Sequence, residues 1–159
     1  MSSPSPYRPP QAPVADQDRP RGSPVKGMAF GLMVDIGGTL CASYALMFIW
    51  AIRLAAQGHD AKAIEEMLNQ QFADSTSDVG IAANVLGMAF SWLGGYVCAR
   101  VARETELRCA GVVAGLGIGL ALLLGGDAMT ALHFGLVLLG AAIVMLGAWT
   151  GAQRNARQP

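Results

Sequence analysis

Four stretches of this chain, residues 27–52, 79–99, 109–126 and 130–150, are long, apolar and, with one exception, free of charged side chains. A run of about 20 apolar residues crosses the roughly 30 Å hydrocarbon core of a bilayer as a single α-helix. The sequence therefore predicts an all-α fold, a bundle of four transmembrane helices. The first run, residues 27–52, reaches roughly 39 Å at 1.5 Å per residue, so it must tilt or place its ends in the interface. Composition agrees: 53% of the residues are hydrophobic and only 14% charged. Most of the 20 glycines lie inside the apolar runs, where they let helix backbones approach closely.

The segments between the runs are polar. Residues 1–26 hold seven of the eight prolines among Ser, Gln and Arg, and read as a disordered Pro-rich tail. No apolar h-region marks this tail as a signal peptide. Residues 53–79 form a loop in which 60–72 predicts a short amphipathic helix. Ile64, Met67, Leu68 and Phe72 share one face, and Asp60 stands at the N-cap. Ser75 and Asp78 have capping-box spacing before the second run, with Ser77 an equal candidate. Arg100, Glu104 and Arg108 recur at every fourth position, which predicts that the second helix continues past the headgroups. Gly125-Gly126-Asp127 reads as a tight turn, with Asp127 capping the fourth span, and residues 154–159 as a second short tail.

Basic residues set the expected orientation. Nine of the eleven (Arg8, Arg19, Arg21, Lys26, Arg100, Arg103, Arg108, Arg154 and Arg157) fall on the side that holds both termini. Only Arg53 and Lys62 fall on the other. The positive-inside rule then places both termini in the cytoplasm of a bacterial cell, with the chain in its inner membrane. A formal net charge of zero and the lack of a basic-aromatic patch argue against a nucleic-acid partner.

In lipid, small residues mark the faces on which helices meet. The first span carries Gly27, Gly31, Asp35, Thr39 and Ser43 at four-residue spacing. The second carries Ala83, Gly87, Ser91, Gly95 and Ala99, and the third carries Gly111, Gly115 and Gly119. These rows predict tight helix contacts and self-association. The fourth span, with Gly135, Gly140 and Gly147, is less regular and is expected to face lipid more.

The exception among the runs is Asp35. An ionisable side chain inside a membrane segment marks a functional site by default. Counted along antiparallel helices, Ser91, Trp92 and Tyr96 fall near its depth and carry hydrogen-bond donors. Asp35 with these three is the candidate polar site. It has two readings: a hydrogen-bonded carboxyl that fixes helix register, or the proton-binding group of a small transporter whose ion or molecular substrate the sequence does not name.

Other chemistry is sparse. Cys41, Cys98 and Cys109 have no metal-binding spacing and read as packing residues. His133 has no second ligand at metal-binding distance in sequence, and no serine triad, phosphate loop or dinucleotide fingerprint occurs. Neither a cofactor nor a metal is expected, and no enzymatic role. Residues 33–39 (Met-Val-Asp-Ile-Gly-Gly-Thr) and 93–100 (Leu-Gly-Gly-Tyr-Val-Cys-Ala-Arg) resemble a family of small, uncharacterised four-helix inner-membrane proteins of proteobacteria. The resemblance spans about residues 27–150 and implies a membrane protein, with no catalytic residue. Small multidrug-resistance exporters are similar in having four helices and one acid in the first, and serve as a mechanistic analogy. They differ in using Glu, in lacking so long a first loop, and in their aromatic cage. The function expected is that of a non-enzymatic integral membrane protein with a structural or interaction role, the alternative being a proton-coupled transporter that uses Asp35.

Overall fold

The computed structural model describes residues 22–125 and 130–157. Among these the chain is all-α, and four helices are long and apolar enough to cross a membrane. It is a multi-pass membrane protein.

Helix α1 (Pro24–Leu32) is capped by Ser23, whose hydroxyl accepts from the Lys26 N–H at 3.4 Å. Pro24 takes the first helical position, where a missing N–H costs nothing. The tail boundary expected at residue 26 therefore moves back to Ser23. The disorder expected of the Pro-rich segment falls on residues 1–21, outside the described residues. A π-helical turn, Met33–Gly37, joins α1 to α2 (Gly38–Ala56), and the three form one span of 33 residues. Near its far end the Arg53 guanidinium lies 4.8 Å from the centroid of the Trp50 ring, a pairing suited to an interfacial anchor.

Gly58, at φ +88°, then turns the chain in a backbone conformation that residues with a side chain rarely adopt. The amphipathic helix forms as α3 (Ala61–Ala73), with the Asp60 carboxylate accepting from the Ala63 N–H at 2.8 Å. Leu68 is buried beneath it, and α3 packs on α2 and α4. Of the two caps the sequence allows for α4 (Asp78–Ala102), Ser77 is the one used. Its hydroxyl accepts from the Gly80 N–H at 2.9 Å and donates to the Gln71 carbonyl at 2.6 Å. Ser75 instead meets His133, Oγ to Nε2 at 3.2 Å. Asp74 accepts from the Thr76 hydroxyl and N–H at 2.6 and 2.9 Å, bonds that hold its carboxyl below the usual carboxylate range.

The helix expected to run through Arg100, Glu104 and Arg108 is broken. α4 ends at Ala102, Arg103 takes φ 50°, and α5 (Glu106–Gly125) begins three residues later. Charge spacing alone fitted one helix, but the chain must reverse here to recross the bilayer. The Glu104 N–H closes the turn on the Ala102 carbonyl at 2.7 Å. Helix α6 (Ala131–Ala156) is capped by Thr130, not by Asp127, its hydroxyl accepting from the His133 N–H at 3.3 Å. Residues 126–129, with most of the expected turn, lie outside the described residues. At its other end α6 continues through Asn155, into the segment expected to be a tail. Asn155 donates to the Ala99 carbonyl (2.9 Å) and the Glu106 carboxylate (3.1 Å), and accepts from Arg100 (2.9 Å). One side chain thus ties α4, α5 and α6 together at the end that holds the chain termini.

The core is made of small residues: Cys98, Ala99, Ala102, Cys109, Ala110, Val113, Ala114, Val144 and Ala148. Large apolar side chains such as Phe48, Ile49, Leu123 and Leu124 point outward. That inversion suits a bundle bathed in hydrocarbon, where close backbone packing rather than the hydrophobic effect holds helices together. Helix α4 is the hub, packing on α1, α5 and α6.

The close contacts differ in two ways from what glycine spacing alone suggests. The fourth span, despite its irregular glycines, packs closely on α4. An added Cβ at Gly95 of α4 would strike the Val144 carbonyl of α6, and one at Gly147 of α6 would strike the Trp92 carbonyl of α4. A Cβ at Gly151 would come within 2.8 Å of the Tyr96 carbonyl. This interface is tight because its glycines match a partner, not because they are evenly spaced. Conversely, the regular row of α5 makes no close contact among the described residues. At Gly111, Gly115 and Gly119 an added Cβ meets nothing within 4 Å. α5 packs through Ala110, Val113 and Ala114 instead.

Candidate intramembrane polar site

Asp35 sits in the middle of the π turn, where the first span crosses α4. Its neighbours are set by glycines. Gly27 and Gly31 let α1 approach so closely that an added Cβ at Gly31 would lie 2.8 Å from the Cys98 Cβ. Gly94 of α4 occupies the matching position, with the Gly31 carbonyl 2.7 Å and the Asp35 Cβ 2.8 Å from where its own Cβ would stand. Gly94 and Gly95 are adjacent, and they open two sides of α4 about 100° apart: one to α1 and the π turn, the other to α6.

The π turn explains why the row beginning at Gly27 stays on α4. In an α-helix each four-residue step overshoots a full circle by about 40°, so three steps from Gly27 to Thr39 drift by roughly 120°. A π turn closes one residue later than an α turn and takes back about 100° of that drift. Asp35 and Thr39 therefore both remain at the α4 interface. Thr39 Cγ2 lies 3.6 Å from the place of a Cβ at Gly87, an ordinary contact.

The half-buried Asp35 carboxylate accepts a hydrogen bond from the Ser91 hydroxyl, 2.7 Å from Oγ to Oδ1. Both side chains open onto a cavity of about 390 Å³ lined by all four spans. Its polar side chains are Asp35, Thr39 and Ser91; the rest of the wall is apolar, from Val113 and Val144 to Leu124 and Val137. No Lys, Arg or His among the described residues lines it. α2 packs on α3 and α4 but touches neither α5 nor α6 among the described residues, which leaves the cavity its breadth. Volume and lining fall within the range of small-molecule sites, with a few polar groups in an apolar wall. A carboxyl so placed can exchange a proton or accept a bond from a donor on a bound molecule.

Trp92 and Tyr96 are not part of this site. Their rings stack on each other, 5.7 Å between centroids and 14° between planes. The Arg154 guanidinium lies 5.8 Å from the Tyr96 centroid, and its Nη1 donates to the Tyr96 hydroxyl at 3.4 Å. Depth counting along antiparallel helices gave no azimuth. On α4, Trp92 stands about 100° and Tyr96 about 140° around from Ser91. Gly94 and Asn155 escaped sequence reasoning. The Gly94-Gly95 pair was a usable signal for two packed faces; Asn155 carried none.

Among the described residues no group of three His, Cys, Asp or Glu side chains could hold a metal ion. The three cysteines are free thiols; Cys98 and Cys109 pack in the core and Cys41 is exposed on the span surface. Scanned against family models, curated proteins and solved structures, the chain matches none.

Proposed function

We propose that this chain is a non-enzymatic protein of a bacterial cytoplasmic membrane, with both termini in the cytoplasm, that works by association within the bilayer. The observation that carries this reading is the open face of α5. Glycines in contact set the α1–α4 and α4–α6 interfaces, whereas no described residue comes within 4 Å of a Cβ placed at Gly111, Gly115 or Gly119. A second copy is the partner proposed, since small residues every four positions let two helix backbones approach. Gly115→Leu is expected to leave the bundle folded and to raise the dissociation constant for self-association by roughly tenfold, the equivalent of about 1.4 kcal/mol. Energy transfer between labelled copies in a bilayer checks this; equal transfer in the variant would overturn it. The orientation has its own test: a reporter active only in the cytoplasm, fused after Pro159, is expected to be active.

The Asp35 cavity favours a second reading, proton-coupled transport of a small apolar solute. π turns cluster at functional sites, and intramembrane carboxylates mark proton pathways. The expected result is an infrared carboxyl band, absent from Asp35→Asn, that converts to carboxylate within the physiological pH range. A band fixed in either form across that range would leave Asp35 a packing residue.

A further inference from the structure

A second cavity, of about 430 Å³, lies between α4 and α6 near the end that holds the chain termini. Its wall changes character along the bundle. Trp92 and Leu93 form one end, Tyr96 and Thr150 the middle, and Gln153, Arg154 and Arg157 the other end. No carboxylate among the described residues lines it. Two cationic side chains therefore converge on a groove that offers them no counter-charge.

The Arg154 guanidinium is held in place rather than loose. It rests on the Tyr96 ring and donates one bond to the Tyr96 hydroxyl. A guanidinium carries five N–H donors in a planar fork, which leaves capacity for an oxyanion, and the fork matches phosphate geometry. The Tyr96 ring is itself fixed by stacking on Trp92, one helical turn away. Trp and Tyr are the residues that favour the headgroup level. From Leu93 to Arg157 the groove thus runs apolar, aromatic, phenolic, cationic. A membrane lipid read from acyl chain to phosphate has the same order.

We infer that this groove binds the phosphodiester head of an anionic membrane lipid. Arg154 and Arg157 take the phosphate oxygens, Gln153 and Thr150 lie within the same wall, and the stacked Trp92–Tyr96 pair flanks the glycerol and the first methylenes. Basic pockets between transmembrane helices bind anionic headgroups in this way. The inference uses neither the α5 face nor Asp35. A soluble phosphate ester would satisfy the same two arginines but has no chain to lie along Trp92 and Leu93.

The test is native mass spectrometry of the full chain released from nanodiscs that contain phosphatidylglycerol and phosphatidylcholine in equal amounts. The wild-type protein is expected to retain phosphatidylglycerol preferentially, by roughly thirtyfold for two arginines at an anionic surface. Arg154→Gln with Arg157→Gln is expected to reduce that preference to about twofold or less. Arg108→Gln, which removes an exposed charge outside the groove, is expected to leave it unchanged. Glycerol phosphate added in excess separates the two sources. Failure to displace the lipid supports a lipid site, whereas equal competition would make the groove a site for a soluble phosphate and overturn the inference. It is also overturned if the double variant keeps the wild-type preference, or if Arg108→Gln lowers it as much.

Discussion

Gly95→Val and Gly147→Val are each expected to yield no folded bundle. At both positions an added Cβ would meet the backbone of the opposing helix: the Val144 carbonyl for Gly95, the Trp92 carbonyl for Gly147. A side-chain neighbour can rotate away, but a carbonyl locked in a helix moves only if the helix moves. Even alanine should cost about 3 kcal/mol, the upper end for overpacking. Valine adds two further methyl groups and forces α4 and α6 apart along a contact that also seats Gly151 and Ala148. The comparison is Gly135→Ala, where an added Cβ meets nothing within 4 Å. That substitution should be neutral, or stabilising by up to about 1 kcal/mol through helix propensity. Unfolding in a mixed detergent series, followed by circular dichroism, measures all of these. A Gly95→Val protein as stable as wild type would mean that the α4–α6 interface is wrong.

Gly94→Ala, one residue away, is expected to do something different. Its Cβ would press on the Gly31 carbonyl and on the Asp35 Cβ and amide, at 2.7, 2.8 and 3.2 Å. The first span must retreat from α4 at the π turn, while α6, on the other side, keeps its seat. The expected cost is about 1–3 kcal/mol, together with loss of the Ser91–Asp35 bond. The infrared band of the Asp35 carboxyl should shift, as it should in Ser91→Ala. Ser91→Ala removes only the hydrogen bond and should cost about 0.6 kcal/mol, the average for such pairs in a membrane. An unshifted band in Gly94→Ala would refute the placement of Asp35 against α4.

What the sequence made legible follows from which physical terms are local. Span positions rest on hydropathy, and α3 rests on a cap and a periodic face; both are properties of short segments and both are seen. The partnership of Asp35 with Ser91 was legible because depth can be counted along antiparallel helices. Trp92, next to Ser91 on α4, and Tyr96, one turn further toward the chain termini, lie at other azimuths, and azimuth is settled only by packing. The same limit explains the glycines. Four-residue spacing on α5 is ideal, yet a Cβ at those glycines meets nothing within 4 Å among the described residues. Of the irregular set on α6, Gly135 and Gly140 also meet nothing within 4 Å among the described residues, but Gly147 meets Trp92, and Gly151 beyond the set meets Tyr96, because a match with the opposing backbone decides the interface. The break at Arg103 was hidden by a charge pattern that a continuous helix would also satisfy. Asn155 lies in a polar segment that gave no sign it would serve three helices at once.

The π turn has a consequence for chain length. A residue removed from the middle of α4 would rotate everything beyond it by about 100° and part Gly94 and Gly95 from their separate partners. The turn at Met33–Gly37 holds one residue more than an α-helical path between α1 and α2 requires. Gly37 meets nothing within 4 Å at its Cβ position. Its deletion would let an α turn close over the gap, with Gly31 and Thr39 still on α4 and only the surroundings of Asp35 altered. The membrane scaffold and the carboxyl it presents are thus separable by a single codon, so length variants at this turn could lose the site while keeping the bundle.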